Sequence, residues 1–167
     1  LGGSSILIAS LKKTKRQFII YDVFDMIPPP SSADTDDVHA RFSVISKGES
    51  LGIKGDKYYG YMENIQQRVI DNFHEFQICL ENHSVRLVKG MVQNTLDVNE
   101  PVALAHIDVD WYEPVMTCLQ KIFPYLSIGG TIILDDYKSW GGCRKAADEY
   151  LEERRGEFEA KEVHGTM

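Results

Sequence analysis

Residues 103–137 read ALAHIDVDWYEPVMTCLQKIFPYLSIGGTIILDDY. This segment holds two short apolar runs, at 104–107 and 131–134, separated by a stretch in which apolar residues recur with helical spacing. Short apolar runs that are bounded by turn residues and joined by a helix are typical of parallel strands buried in an α/β sheet. The segment therefore predicts an α/β fold with a mostly parallel sheet and helices on both faces.

Each apolar run ends in carboxylates: Asp108 and Asp110 follow the first run, and Asp135 and Asp136 follow the second. Because the connection between parallel strands is right-handed, both carboxyl ends emerge at the edge where α/β sheets bind ligands. Clustered carboxylates repel one another unless a cation or a proton lies among them, and oxygen donors favour a hard divalent ion such as Mg2+. The sequence therefore predicts a metal site at the tips of two neighbouring strands.

Taken singly, each of these carboxylates also has an ordinary structural interpretation. An Asp at a strand end often caps the following helix, and Asp110, shortly before Pro114, is placed to do so. An Asp-Asp pair is often a solvated turn. The metal-site hypothesis depends on all four side chains arriving at one place.

Length and composition indicate one domain spanning residues 1–167, because 167 residues with 43% hydrophobic residues suffice for one packed core. The net charge of -7 argues against a general nucleic-acid or anionic-membrane binder. A basic run at 12–16 is expected to follow a helix, where cations interact favourably with the helix dipole. The expected partner is a small molecule, with no nucleic acid and no membrane, and the sequence leaves homo-oligomer formation open.

The cysteines indicate a reducing compartment. Cys79, Cys118 and Cys143 are widely spaced and odd in number, and they form no CxxC motif. The sequence shows no apolar run long enough for a membrane span and no signal-peptide pattern. A cytoplasmic location is therefore expected.

The first residues, LGGSSILIA, predict a glycine turn that opens a helix, and residues 17–21 predict a strand that ends at Asp22. In nucleotide-binding α/β folds such a glycine turn approaches a ligand, and an acidic residue after the next strand accepts hydrogen bonds from ribose hydroxyls. The spacing from Gly3 to Asp22 fits this arrangement. A plain helix cap and a strand-end turn are the alternative interpretations.

Residues 23–57 differ in character, with Pro28-Pro29-Pro30, a polar stretch and three glycines. They predict a long loop, interpreted either as a mobile flap on the substrate side or as a disordered insertion. Beyond it, the patterns predict further helices at 61–73, 115–123 and 143–151, and strands at 84–88 and 157–163.

Five segments, taken together and in order, resemble the macrocin O-methyltransferase family. They are GGSSI, YDVFDMIPPP, VRLVKGMVQNTL, HIDVDWYEP and LSIGGTIILDDYKSWGGCRKAADEYL. Members of this family are Mg2+-dependent and S-adenosylmethionine-dependent enzymes that methylate sugar hydroxyls in natural-product glycosides. The resemblance implies a Rossmann-like class I methyltransferase fold whose first and last strands, of the usual seven, would lie before Leu1 and after Met167.

The resemblance also implies roles for individual residues. Asp110 would be the general base, and Trp111 beside it is bulkier than the residue expected there. The ligands that the resemblance implies are Asp108, Asp135 and Asp136 for the metal, Gly2, Gly3 and Ser4 for the methionine part of the cofactor, Asp22 for its ribose, and Gly90 and Met91 for its adenine.

Two other functions fit parts of the sequence. Asp108-Val109-Asp110 matches the short DxD motif with which metal-dependent glycosyltransferases bind a nucleotide sugar, although this reading gives no role to Asp135 and Asp136. A truncated α/β domain that serves as a non-catalytic interaction module is the third hypothesis.

Overall fold

The computed structural model describes residues 1–162 and has an α/β architecture. The strands are β1 (Phe18–Asp22), β2 (Val85–Lys89), β3 (Val102–Ile107) and β4 (Leu126–Leu134). The helices are α1 (Gly3–Leu11), α2 (Asp36–Ser46), α3 (Ile65–Glu75), the single turn α4 (Val92–Thr95), α5 (Tyr112–Ile122) and α6 (Gly141–Glu152). Short 3-10 turns lie at Ile53–Gly55, Tyr59–Tyr61 and Phe123–Tyr125.

The strands form two parallel pairs. β1 pairs with β2 in a register that sets Asp22 opposite Lys89, and β3 pairs with β4 so that Ile107 lies opposite Leu134. Among the described strands, these pairs are two separate hydrogen-bonded sheets. The parallel pairing of the two apolar runs at 104–107 and 131–134 is confirmed.

Two hydrophobic cores support the two strand pairs. Beside β3 and β4, the buried faces of α5 and α6 meet in a cluster that includes Val115, Leu119 and Ala146, each no more than 1% exposed. Beside β1 and β2, α1 and α3 bury Ala9 and Phe73. The helical stripes predicted from the sequence are therefore the core-facing stripes, because residues three and four apart lie on one side of a helix.

The segment 23–57 is not a continuous loop, because it contains α2. Val38 and Ile45 of this helix are buried, which gives it an apolar anchor. The prolines stop regular structure only before it, and the polar stretch that follows them supplies the residues at which α2 begins. The interpretation of this segment as a flap stays a prediction.

Two carboxylates of this segment satisfy the amino-terminal ends of other helices. Asp34 Oδ1 accepts a hydrogen bond from the Tyr112 backbone N–H at 2.7 Å, where α5 begins. Asp37 Oδ2 accepts one from the Gly141 N–H at 2.9 Å, where α6 begins. A helix leaves its first N–H groups without partners inside the helix, and a carboxylate there also interacts favourably with the helix dipole. These contacts fasten the segment to the helices beside β3 and β4.

The prediction of a strand at 157–163 is wrong for the residues that the structure describes. Residues 157–162 form no strand, and Val163 lies outside the described residues. Instead, the Phe158 ring packs edge-on against Phe123, with ring centroids 6.5 Å apart. The apolar residue that suggested a strand is thus used in a contact with the end of α5.

Within residues 1–162, none of the helices has both the length and the apolar character needed to cross a membrane.

We expect Gly142→Ala to weaken the attachment of the 23–57 segment. A Cβ at Gly142 would overlap Asp34 Oδ1 and lie 3.0 Å from the Tyr112 backbone N, so the Asp34–Tyr112 hydrogen bond could not keep its geometry. Overpacking of this kind costs about 1–3 kcal/mol, which urea unfolding would measure as a lower free energy of unfolding. Gly3→Ala is the matched control, because a Cβ at Gly3 meets nothing within 4 Å. Equal stabilities of the two variants would contradict the role assigned to the Asp34 contact.

Candidate functional site

The tips of β3 and β4 lie side by side at one edge of their sheet. The Asp135 backbone N–H donates a hydrogen bond to the Ile107 carbonyl at 3.0 Å, which continues the strand pairing up to the first carboxylate. Asp108 and Asp110 follow Ile107 directly, so the structure brings the four predicted carboxylates to the same edge. This placement follows from parallel pairing, because parallel strands end on the same side.

Asp110 has an unusual backbone conformation. Its φ is 55°, in the left-handed region that Asp tolerates better than most residues, and Trp111 N–H donates to the Val109 carbonyl at 2.6 Å across it. The tight turn aims the Asp110 backbone N–H at the Asp136 carboxylate. Backbone conformations of this kind concentrate at functional sites, where the surrounding structure holds them.

Asp110 and Asp136 form a coupled pair of carboxyl groups. Burial raises the pKa of Asp136 to about 8, with further contributions from the charges of Asp110, Asp108 and Asp135. Burial and the charge of Asp108 raise the pKa of Asp110 to about 6, while hydrogen bonds from the side chains of Asp136 and Trp140 act in the opposite direction. In the metal-free chain, a proton on Asp136 therefore relieves the repulsion between the two groups.

Asp135 and Asp136 have different surroundings although they are adjacent. Asp135 Oδ1 lies 3.6 Å from His106 Nε2, and the Asp135 side chain is 56% exposed. Asp136 Oδ2 is buried and has no hydrogen-bond donor in the described part of the chain. Residues 1–162 contain no group of three or more His, Cys, Asp or Glu side chains arranged to hold a metal ion.

The donor chemistry of this edge nevertheless fits a hard divalent cation. The donors are carboxylate oxygens, one of them is buried without a partner, and their mutual repulsion raises the pKa values of Asp110 and Asp136. A cation would give Asp136 Oδ2 a partner and would replace the repulsion between the carboxylates by attraction to the ion. Oxygen ligands are those that Mg2+ prefers. The residues thus fit Mg2+ by chemistry, while Asp135 would have to leave His106 to join Asp136.

A cleft joins this edge to the end of β1. Asp22, Met91, Asp108 and Asp110 line it, together with Pro28 and other residues of the segment after β1. The Gly90 N–H donates to the Asp22 backbone carbonyl at 2.9 Å, which ties the predicted adenine-side loop to the predicted ribose-binding residue. Burial raises the pKa of the Asp22 carboxyl, and the charge of Asp108 raises it further. Two predicted cofactor residues, Asp22 and Met91, therefore share one cleft with Asp108 and Asp110, and Gly90 adjoins it through its contact with Asp22.

The glycine turn at the start of the chain lies beside this cleft without lining it. Gly2, Gly3 and Ser4 are absent from the described residues that line the cleft. Gly2 has a φ of +81°, and a Cβ there would lie 3.2 Å from Val69 Cγ1 of α3. Gly2 thus serves a close contact between the turn and α3.

Three side chains near Asp110 were not identified from the sequence. Trp140, just before α6, donates a hydrogen bond to the Asp110 carboxylate, and Arg41 of α2 acts on its pKa through its positive charge. Tyr59 lines the cleft. They lie 30 to 69 residues from Asp110 along the chain, so only the folded structure shows that they are its neighbours. Trp111, the bulky residue beside Asp110, is among the residues that line the cleft but is only 3% exposed, and its indole N–H donates to the Pro28 carbonyl at 3.0 Å.

Comparison with known proteins gives a consistent result. The family described as Macrocin-O-methyltransferase (TylF) matches residues 1–166. Demethyldecarbamoylnovobiocin O-methyltransferase of Streptomyces niveus is 32% identical over 87 residues, which cover 51% of this chain and 32% of that protein. The 8-demethyl-8-(2,3-dimethoxy-alpha-L-rhamnosyl)-tetracenomycin-C 4'-O-methyltransferase of Streptomyces olivaceus is 26% identical over 155 residues, which cover 89% of this chain and 54% of that protein. The chain thus spans about half or less of the length of these relatives.

Solved structures show the same likeness. The O-methyltransferase NovP superposes with a TM-score of 0.67 and 25% sequence identity, over 92% of this chain and 60% of that chain. The calicheamicin methyltransferase CalS11 is similar in fold, with a TM-score of 0.60 and 18% identity over 90% of this chain and 60% of that chain. The α/β architecture is therefore that of a methyltransferase fold.

We expect Asp136→Asn to stabilise the metal-free chain increasingly as the pH rises. The pKa of Asp136 is about 8 in the folded chain and about 3.9 when unfolded, so between these values the folded state binds the extra proton. The contribution of Asp136 to stability is thus complete below pH 4 and is lost as the pH rises through 8. With a chelator present, the Tm of the variant should exceed that of the wild type by several degrees at pH 8.5, and by much less at pH 5. Asp56→Asn, at an exposed position, is the control; a difference that does not change with pH would contradict the prediction.

Proposed function

The chain belongs to the macrocin-O-methyltransferase family, and from this membership we propose that its protein transfers a methyl group from S-adenosylmethionine to a hydroxyl group of a sugar or glycoside. One observation carries the proposal. Asp22, at the end of β1, and Asp108 and Asp110, after β3, line a single cleft. Methyl transfer needs a donor site and a base in one cleft, with the acceptor between them.

Asp110 is the proposed general base. An alcohol is a weak nucleophile toward a sulfonium methyl group, so a carboxylate within hydrogen-bond reach assists by accepting the hydroxyl proton as the oxygen attacks. Asp110 lines the cleft, and the tight turn and the Trp140 hydrogen bond restrict the position of its carboxylate. Burial raises the pKa of Asp110 to about 6, which keeps the group ionised at neutral pH and strengthens it as a base.

The donor side of the cleft is the proposed site of S-adenosylmethionine. Asp22 would accept hydrogen bonds from the ribose hydroxyls, and Gly90 and Met91 would lie against the adenine. Gly90 suits this role because its φ of +140° lets the backbone pass close to a ligand without a side chain. Gly2, Gly3 and Ser4 would lie near the methionine part, beside Asp22.

Asp108, Asp135 and Asp136 would hold Mg2+. When bound, the ion lowers the pKa of a coordinated acceptor hydroxyl and holds the acceptor in place. The support for these ligands is the buried Asp136 oxygen without a donor and the repulsion that raises the pKa of Asp136. His106, 3.6 Å from Asp135, is the contact that Asp135 would give up.

The proposed acceptor is a small glycoside, as in natural-product biosynthesis, and no macromolecular partner is needed for the reaction. Of the relatives named above, one is an O-methyltransferase for demethyldecarbamoylnovobiocin and the other is a 4'-O-methyltransferase for a rhamnosyl-tetracenomycin. We place the protein in the cytoplasm, which agrees with the free thiols of Cys79, Cys118 and Cys143.

We expect the full-length protein to bind S-adenosylmethionine, measured by titration calorimetry with and without Mg2+. Binding should persist without the ion, because Asp22, Gly90 and Met91 lie outside the proposed metal ligands. Heat with a UDP- or GDP-sugar and Mn2+, but none with S-adenosylmethionine, would instead support the glycosyltransferase hypothesis. Binding of none of these ligands would support the interaction-module hypothesis.

We expect Asp110→Asn to lower the rate of methyl transfer by at least about a hundredfold, since the amide cannot accept the hydroxyl proton. Release of S-adenosylhomocysteine with a panel of deoxysugar glycosides measures the rate, and calorimetry should show unchanged cofactor affinity. Asp25→Asn is the matched control, because Asp25 lines the same cleft but accepts a hydrogen bond from its neighbour Met26. Equal rates for Asp110→Asn and the wild type would remove Asp110 from the mechanism.

A further inference from the structure

Tyr59 combines exposure with a fixed position. It lines the cleft and is 42% exposed. Asp22 and Asp110 line the same cleft. Burial raises the pKa of the Tyr59 hydroxyl, with smaller contributions from Tyr58 and from the charges of Asp110 and Asp22. An exposed aromatic ring among the residues that line a cleft is a feature that ligand sites use.

The turn that carries Tyr59 is held from three sides. Tyr61 donates a hydrogen bond to the Ile45 carbonyl at 2.6 Å and accepts one from the Ser50 N–H at 3.2 Å. Arg41 lies over the Tyr58 ring, 5.6 Å from its centroid, and Tyr58 is only 6% exposed. The turn is thus fastened to α2 by its first and last tyrosines, and the middle one faces the cleft.

Gly60 lets this turn pack closely against the Tyr58 ring and the backbone of Met26. A Cβ at Gly60 would lie 2.7 Å from Tyr58 Cε1 and 3.3 Å from the Met26 backbone, so no side chain fits there. The Tyr58 and Tyr59 rings are in contact, with centroids 4.5 Å apart and planes inclined by 47°. A side chain held in this way loses little conformational entropy when a ligand packs on it.

We infer that Tyr59 is the acceptor-positioning residue and that its ring packs against the C–H face of a pyranose whose hydroxyl points to Asp110. The inference rests on the proposed function and adds to it that Tyr59 positions the acceptor and that the acceptor is a pyranose. A pyranose has one face of C–H groups and a rim of hydroxyls, and a 6-deoxy sugar has an additional methyl group. The acidic residues of the cleft suit the rim, and Tyr59 and Pro28 suit the apolar face.

The ring, not the hydroxyl, carries this role. The Tyr59 hydroxyl donates a hydrogen bond to the Tyr58 hydroxyl, so it is already engaged. Tyr59→Phe should therefore preserve sugar binding, and Tyr59→Ala should weaken it. Tyr125 is the matched control position, because it is 43% exposed and lies before β4, at the end of the strand opposite to the carboxylates.

The test uses the full-length protein with methyl α-L-rhamnopyranoside and methyl α-D-glucopyranoside as probes in saturation-transfer difference NMR. We expect the C–H protons of one sugar face to receive saturation in the wild type, Tyr59→Phe and Tyr125→Ala. In Tyr59→Ala the Kd for the better probe should rise by about tenfold, the scale of a lost aromatic contact.

Two results would overturn the inference: a Kd for Tyr59→Ala within twofold of the wild-type value, or no binding of either pyranoside to the wild type. Calorimetry with S-adenosylmethionine on the same samples separates this outcome from failure of the proposed function. Cofactor binding with unchanged sugar affinity in Tyr59→Ala rejects Tyr59 alone, and absence of cofactor binding rejects the methyltransferase proposal.

Discussion

Repulsion between buried carboxylates at the tips of two parallel strands is the constraint on which the site depends. The strand pairing brings Asp108, Asp110 and Asp136 together, and their burial and mutual charge raise the pKa values of Asp110 and Asp136. The fold compensates with a left-handed turn at Asp110 that turns its N–H toward Asp136, and with a Trp140 hydrogen bond. Such a cluster suits the proposed cation, because buried charge without a partner is destabilising and a cation would offset it.

The second requirement is that the cleft keep its shape around these charges. Asp34 and Asp37 accept hydrogen bonds from the first N–H groups of α5 and α6. Each of these bonds satisfies a helix end and also holds the 23–57 segment in place. Gly142 shows how closely the parts fit, because a single methyl group there would displace Asp34. The segment is thereby a wall of the cleft as well as a connection between β1 and α3.

The sequence predicted the features that depend on local patterns of residues, and it missed those that depend on contacts between distant parts of the chain. The apolar runs predicted the strands, and the pairing of IDVDWYEP with GGTIILDDY predicted both the family and the edge at which the carboxylates meet. Helix α2 was missed because it begins in a polar stretch that follows three prolines. Tyr59 and Arg41 could not be predicted as neighbours of Asp110, because they reach it only through α2. The false strand at 157–163 arose from alternating residues with no neighbouring strand to pair with in the described part of the chain.

The two halves of the proposed site belong to different strand pairs, and this determines which contacts control their alignment. Asp22 ends β1, Asp110 follows β3, and no ladder of backbone hydrogen bonds joins these two among the described strands. The chain that leaves Asp22 instead crosses to the other half, where Pro28 accepts a hydrogen bond from Trp111 and Asp34 accepts one from Tyr112. Both of these partners lie within two residues of Asp110. Methyl transfer depends on placing donor, acceptor and base to within fractions of an ångström. The segment from Asp22 to Asp34 starts at the proposed donor site and is bonded beside the proposed base, Asp110, so it determines the distance between them more directly than the sheet does.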